Sequence, residues 1–166
     1  MKPVRIVLLS CLCLLWNCAT PPGSQRPEII LTSAARARLT RLGFSSCERV
    51  AAFAINLNEK HPWPDKTVVM NGSLNASRQP AAGVTLSDVQ VQRFLDATTG
   101  ASHPAPVALC FYPHHGLVFY DKSGRILGSY TICFMCSGFV PDAPRSFVSE
   151  PDYEALSGLL RELRLH

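Results

Sequence analysis

Gly116-Leu117-Val118-Phe119-Tyr120-Asp121 and Arg125-Ile126-Leu127-Gly128-Ser129-Tyr130-Thr131-Ile132-Cys133-Phe134 flank a polar turn, Lys122-Ser123-Gly124. Both arms are β-prone and the turn carries a glycine, so the stretch reads as an antiparallel hairpin. Facing Asp121 with Ile126 places Cys133 opposite His114 and Cys136 opposite Phe111. The open end of the hairpin then gathers Cys110, His114, His115, Cys133 and Cys136. Pro113 removes a backbone donor there and is expected to kink the strand.

Outward from the hairpin, residues 107–112 read as a further strand and residues 137–144 as loop. Towards the C-terminus, Ser149 is expected to cap a last helix, with Asp152 three residues on and Pro151 in the tolerated first turn. Tyr153, Leu156, Leu159, Leu160 and Leu163 share one face of it, a stripe suited to core packing. Upstream, Ser87-Asp88-Val89-Gln90 is a capping-box pattern, with Leu86 and Val91 placed as a hydrophobic staple. The helix that follows spans residues 88–97, with Val91, Phe94 and Leu95 on one face.

Residues 34–42 form an earlier helix, capped by Ser33 and ended by Gly43, with Arg36, Arg38 and Arg41 on a solvated face. In residues 50–57, Ala52, Ala54 and Asn56 alternate with Phe53, Ile55 and Leu57, as in a half-buried strand. Residues 61–65 are a loop and 66–70 a short strand, and Asn71-Gly72 signals a turn. Asn71-Gly72-Ser73 and Asn75-Ala76-Ser77 match the glycosylation sequon, a short motif for which chance matches are common and which is expected to be silent. The element order predicts an α+β fold, an antiparallel sheet of about four to five strands with helices packed on it.

The N-terminus predicts export. Lys2 and Arg5 precede an apolar run over residues 6–16, a signal-peptide pattern too short for a membrane span, which needs about 20 apolar residues. Leu15-Trp16-Asn17-Cys18 resembles the lipobox of bacterial lipoproteins, which implies lipidation of Cys18. Asn17 stands where that family has a small residue, so ordinary cleavage near Ala19 or Thr20 is the alternative. The expected organisation is a signal peptide over residues 1–18, a flexible tether over 19–28 and one globular domain over 29–166. The expected location is the bacterial envelope, with a membrane anchor, or else the periplasm or the exterior.

The chain carries a net charge of +4, with 17% charged and 47% hydrophobic residues. Without Lys2 and Arg5 the balance falls to about +2, too weak to argue for nucleic acid or an anionic surface. Cys11 and Cys13 leave with the signal peptide. If Cys18 is lipidated, Cys47, Cys110, Cys133 and Cys136 remain. An even number of cysteines in an exported chain permits two disulfides. Three thiolates and one imidazole, with C-x2-C as half of the set, also suit tetrahedral zinc. Disulfide, structural metal and redox use of the set Cys110, His115, Cys133 and Cys136 all remain open. A c-type haem is excluded because Ser137, not His, follows Cys136. No phosphate loop, nucleophile elbow or carboxylate pair is present, so no catalytic residue is assigned. His61, His103 and His166 are isolated.

The stretch from Cys110-Phe111-Tyr112-Pro113-His114-His115 through Phe119-Tyr120-Asp121, followed by Ile132-Cys133-Phe134-Met135-Cys136, resembles the C-terminal signature of small uncharacterised bacterial exported proteins and lipoproteins. On that resemblance His115 holds the signature position. The family implies no activity. The leading expectation is a non-enzymatic envelope lipoprotein with a Cys/His cluster that staples the fold. The competing one is an envelope thiol oxidoreductase or metal-handling protein that uses Cys133 and Cys136. Protein partners cannot be read from the chain.

Overall fold

The computed structural model describes residues 31–57, 67–101, 111–144, 147 and 150–165. Its centre is the hairpin of β5 (His115–Tyr120) and β6 (Ile126–Cys133), paired in the register expected: His115 faces Ile132 and Leu117 faces Tyr130. A bulge at the turn end re-pairs Tyr120 with Ile126. Asp121 organises the turn. Its Oδ1 accepts from Ser123 N at 2.9 Å and Arg125 N at 3.0 Å, and its Oδ2 from Arg125 Nε at 2.9 Å.

Three more strands complete an antiparallel sheet: β1 (Arg49–Ala54), β4 (Gln79–Thr85) and β7 (Gly138–Asp142), in the order β4-β1-β5-β6-β7. β1 is central and buried on both faces, not half-buried as its alternation suggested. The α+β expectation holds. Two strands of this sheet differ from the sequence-based expectation. β4 has weak β character but completes the free edge of β1. The proline-bearing sequence of β7 predicts loop. It pairs with β6, and Pro141 is tolerated because β7 lies at the sheet edge. Residues 111 and 112 are not in a strand, because Pro113 interrupts pairing ahead of β5. The rest of the expected strand there lies outside the described residues.

The helices α1 (Ser33–Arg41), α2 (Asp88–Thr99) and α3 (Tyr153–Glu162) cover one face of the sheet. Alternate strand residues Val50, Ala52, Leu117, Phe119, Tyr130 and Ile132 pack there against Leu39, Phe94, Leu95, Leu156 and Leu160. The capping box forms as read, with both Ser87 and Gln90 bonded. Two caps shift. Thr32, held by Asp88 Oδ1 at 2.7 Å, caps α1 in place of Ser33. Asp152 caps α3, and Ser149 lies outside the described residues. The arginines of α1 are not merely solvated: Arg36 pairs with Glu48 at 2.8 Å and Arg38 with Asp96 at 2.5 Å.

The opposite face is covered by a small hairpin, β2 (Val69–Met70) and β3 (Ser73–Leu74), turned at Asn71-Gly72 with positive φ at both residues. Val68 and Val69 close over Ala51, Phe53, Ile55, Val118 and Tyr120. Among the described residues no helix is long and apolar enough to cross a membrane. The signal segment, Cys18, the tether, residues 61–65, His103 and Cys110 lie outside the described residues.

Candidate functional site

Cys133 is the last residue of β6 and pairs with Gly138, the first of β7. Residues 134–137 form the intervening turn, and Ser137 takes the left-handed conformation, φ 46°. This geometry folds Cys136 back, so that its Sγ lies 2.9 Å from Cys133 Sγ. Both sulfurs are buried, Cys136 at 2% and Cys133 at 0% exposure. The Cys136 thiol donates to Cys133 Sγ, and the Cys133 thiol donates to the Tyr112 carbonyl at 3.2 Å. Gly138 leaves room for this arrangement. A Cβ there would lie 3.2 Å from Cys136 Sγ and 3.1 Å from the Phe111 ring.

Aromatic rings hold the turn against α3. Phe134 lies edge-on between His115, at 5.4 Å, and Tyr153, at 6.4 Å. The Tyr153 hydroxyl donates to the Ser137 carbonyl at 2.5 Å. Burial, together with the neighbouring thiols of Cys136 and Cys133, pushes the Tyr153 phenol up to about 12.

His115 stands at the start of β5, and its Nε2 donates to the Leu165 carbonyl at 2.9 Å, just past α3. A carbonyl only accepts, so Nε2 carries the proton. Along β5 His115 alternates with Leu117 and Phe119 onto the helix-covered face. Along β6 Cys133 alternates with Thr131 and Ser129 onto the other face, where Thr131 bonds Val68 N at 3.0 Å. The cross-strand position facing Cys133 therefore belongs to His114, while His115 faces Ile132. Among the described residues no three His, Cys, Asp or Glu side chains are placed to hold a metal. Thiolates sharing a tetrahedral zinc sit about 3.7 Å apart, given Zn–S bonds of about 2.3 Å, wider than the 2.9 Å between these two sulfurs. Cys110, the remaining member of the expected set, lies outside the described residues.

Cys47 stands apart, at the other end of β5. It is 2% exposed, donates to the Arg49 carbonyl at 3.5 Å, and burial pushes its thiol up to about 11.

A polar cluster that the sequence reading missed adjoins the thiols. Asn56 is 1% exposed with φ 56°, and Asn75 is 3% exposed. Asn56 Nδ2 donates to the Pro113 carbonyl at 3.1 Å, and Asn56 N donates to Ser77 Oγ at 2.8 Å. Asn75 Oδ1 accepts from Ser77 N at 2.8 Å, and its Nδ2 donates to the Thr67 carbonyl at 3.1 Å. This network ties the covering hairpin and the residue 112–114 segment to the end of β1. It also buries the amide of the second sequon, while Asn71 of the first is exposed. The signal for it in the sequence was Asn75-Ala76-Ser77, a pattern with a bond from Asn to the amide two residues on.

No family model matches the chain, and neither a curated protein nor a solved structure is significantly similar to it.

Proposed function

We propose that this chain is an exported envelope lipoprotein, tethered through Cys18, in which Cys133 and Cys136 staple the β6–β7 turn as a disulfide. The observation that carries this reading is the 2.9 Å separation of two buried sulfurs. A disulfide needs about 2.05 Å, so closure asks for a movement of under about 1 Å. Exported proteins meet oxidising conditions in which such bonds persist. In closure both thiols lose their protons and one S–S bond forms. The two electrons pass to a protein or small-molecule disulfide, which is reduced to two thiols. Closing so short a loop restrains the unfolded chain by about 2 kcal/mol.

The oxidoreductase alternative needs an accessible thiol of lowered pKa, commonly at a helix N-terminus. Here both thiols are buried and a strand follows them, which favours the staple. The apolar run over residues 6–16, Cys18 and the Pro-rich tether support the anchor; none of them names a substrate.

Peptide mapping of the exported protein under non-reducing conditions tests the staple. A Cys133–Cys136 linked peptide is expected. Free, alkylatable thiols at both positions would overturn it, as would stoichiometric zinc in the purified protein that is lost on Cys110→Ser. Turnover of a disulfide substrate, abolished by Cys133→Ser, would establish the enzymatic alternative instead. Labelling with a palmitate analogue tests the anchor: it is expected in the wild type and lost in Cys18→Ala, and equal labelling would remove the claim.

A further inference from the structure

Within one turn, two sulfurs are buried and a third is open to solvent. Cys133 and Cys136 are 0% and 2% exposed, whereas Met135 between them is 72% exposed. Among the described residues it is the most exposed large apolar side chain. Methionine ordinarily fills core gaps, but here its thioether faces solvent. The cause is local. Phe134 turns inward against His115 and Tyr153, and Cys136 turns inward to Cys133, so the side chain between them points outward.

We propose that Met135 is a modification site that accepts oxygen from hydroperoxides and, while Cys133 and Cys136 are still reduced, takes up oxidant before them. The thioether lone pair attacks one peroxide oxygen and the O–O bond breaks. The sulfur becomes the sulfoxide, oxidised by two electrons, and the other oxygen leaves as water or an alcohol with the proton. The two thiols compete poorly. Attack on a peroxide needs an accessible sulfur, and the fold shields both cysteines, at 0% and 2% exposure. The product is tolerated, because the new polar oxygen lies in water and disturbs neither Phe134 nor Cys136. Methionine sulfoxide is reversible by reductases, so the site can be regenerated.

This inference rests on the contrast in burial and not on the disulfide reading. Its test is a hydrogen peroxide titration of the full chain in its reduced form, read by peptide mass spectrometry and thiol alkylation. Met135 is expected to convert to sulfoxide faster than Met70, which is 43% exposed, by at least the ratio of their exposures, about 1.7-fold. Met135→Leu removes the acceptor without touching the core, and Cys133 and Cys136 should then lose alkylatable thiol at a lower peroxide dose. Oxidation of Met70 at the same rate or first would overturn the proposal, as would an unchanged dose for thiol loss in Met135→Leu. The sulfoxide measurement is repeated with the Cys133–Cys136 pair oxidised. The same ordering is expected, so failure of the staple reading would leave this result standing.

Discussion

Tyr153, the first residue of α3, donates its hydroxyl to the carbonyl of Ser137 at 2.5 Å and so clasps the turn that carries Cys136. His115 reaches the Leu165 carbonyl beyond the other end of α3. The thiol turn and the last helix are therefore fastened together at two points, with the Phe134 ring between them.

Tyr153→Phe keeps the ring against Phe134 and removes only the hydroxyl. The Ser137 carbonyl then loses its donor at a half-buried position. Unfolding in urea should show a loss of about 1–2 kcal/mol, with faster amide exchange in residues 134–138. Unchanged stability and exchange would mean that the clasp contributes nothing.

Asn56 combines a left-handed backbone with a fully engaged amide. Asn56→Ala removes the amide and leaves a Cβ in a conformation that disfavours it, whereas Asn56→Gly removes the amide alone. Both should destabilise, and the alanine variant more, by about 1 kcal/mol. Equal midpoints in denaturant would show that backbone strain at this position is negligible.

Gly116 lies beneath the covering hairpin, where an added Cβ would fall 2.4 Å from Val68 Cβ. Gly116→Ala should cost about 1–3 kcal/mol by forcing the hairpin off the sheet. In a Val68→Gly background the same change should cost clearly less, a coupling that a double-mutant cycle measures. Strict additivity would place the clash elsewhere.

The Asp121 carboxyl is depressed to about 2, first by the Ser123 hydroxyl and then by Arg125. Its folded value lies below the unfolded one, so the turn gains from the carboxylate above about pH 4 and loses that support as pH falls through about 2. An NMR titration should find the low value, and Asp121→Asn should flatten the acid dependence of the turn signals. A midpoint near the ordinary aspartate value would refute this.

Local chemistry was legible in the chain itself. The Ser87–Gln90 capping box, the Asn71-Gly72 turn and the leucine stripe of α3 depend on neighbours within a few residues, so their patterns survive without knowledge of the fold. The β5–β6 register was legible for the same reason, since a short turn and a two-residue period leave few pairings. Tertiary structure alone decided the rest. Residues 79–85 and 138–142, poor in β-formers and broken by prolines, became strands because β1 and β6 had free edges to complete. Asn56 and Asn75 became a buried hub because distant segments bring carbonyls to meet their amides. Spacing brought His115 and Cys133 to the same end of one hairpin. The alternation of side chains along paired strands then sent them to opposite faces, a choice set by which face the helices cover.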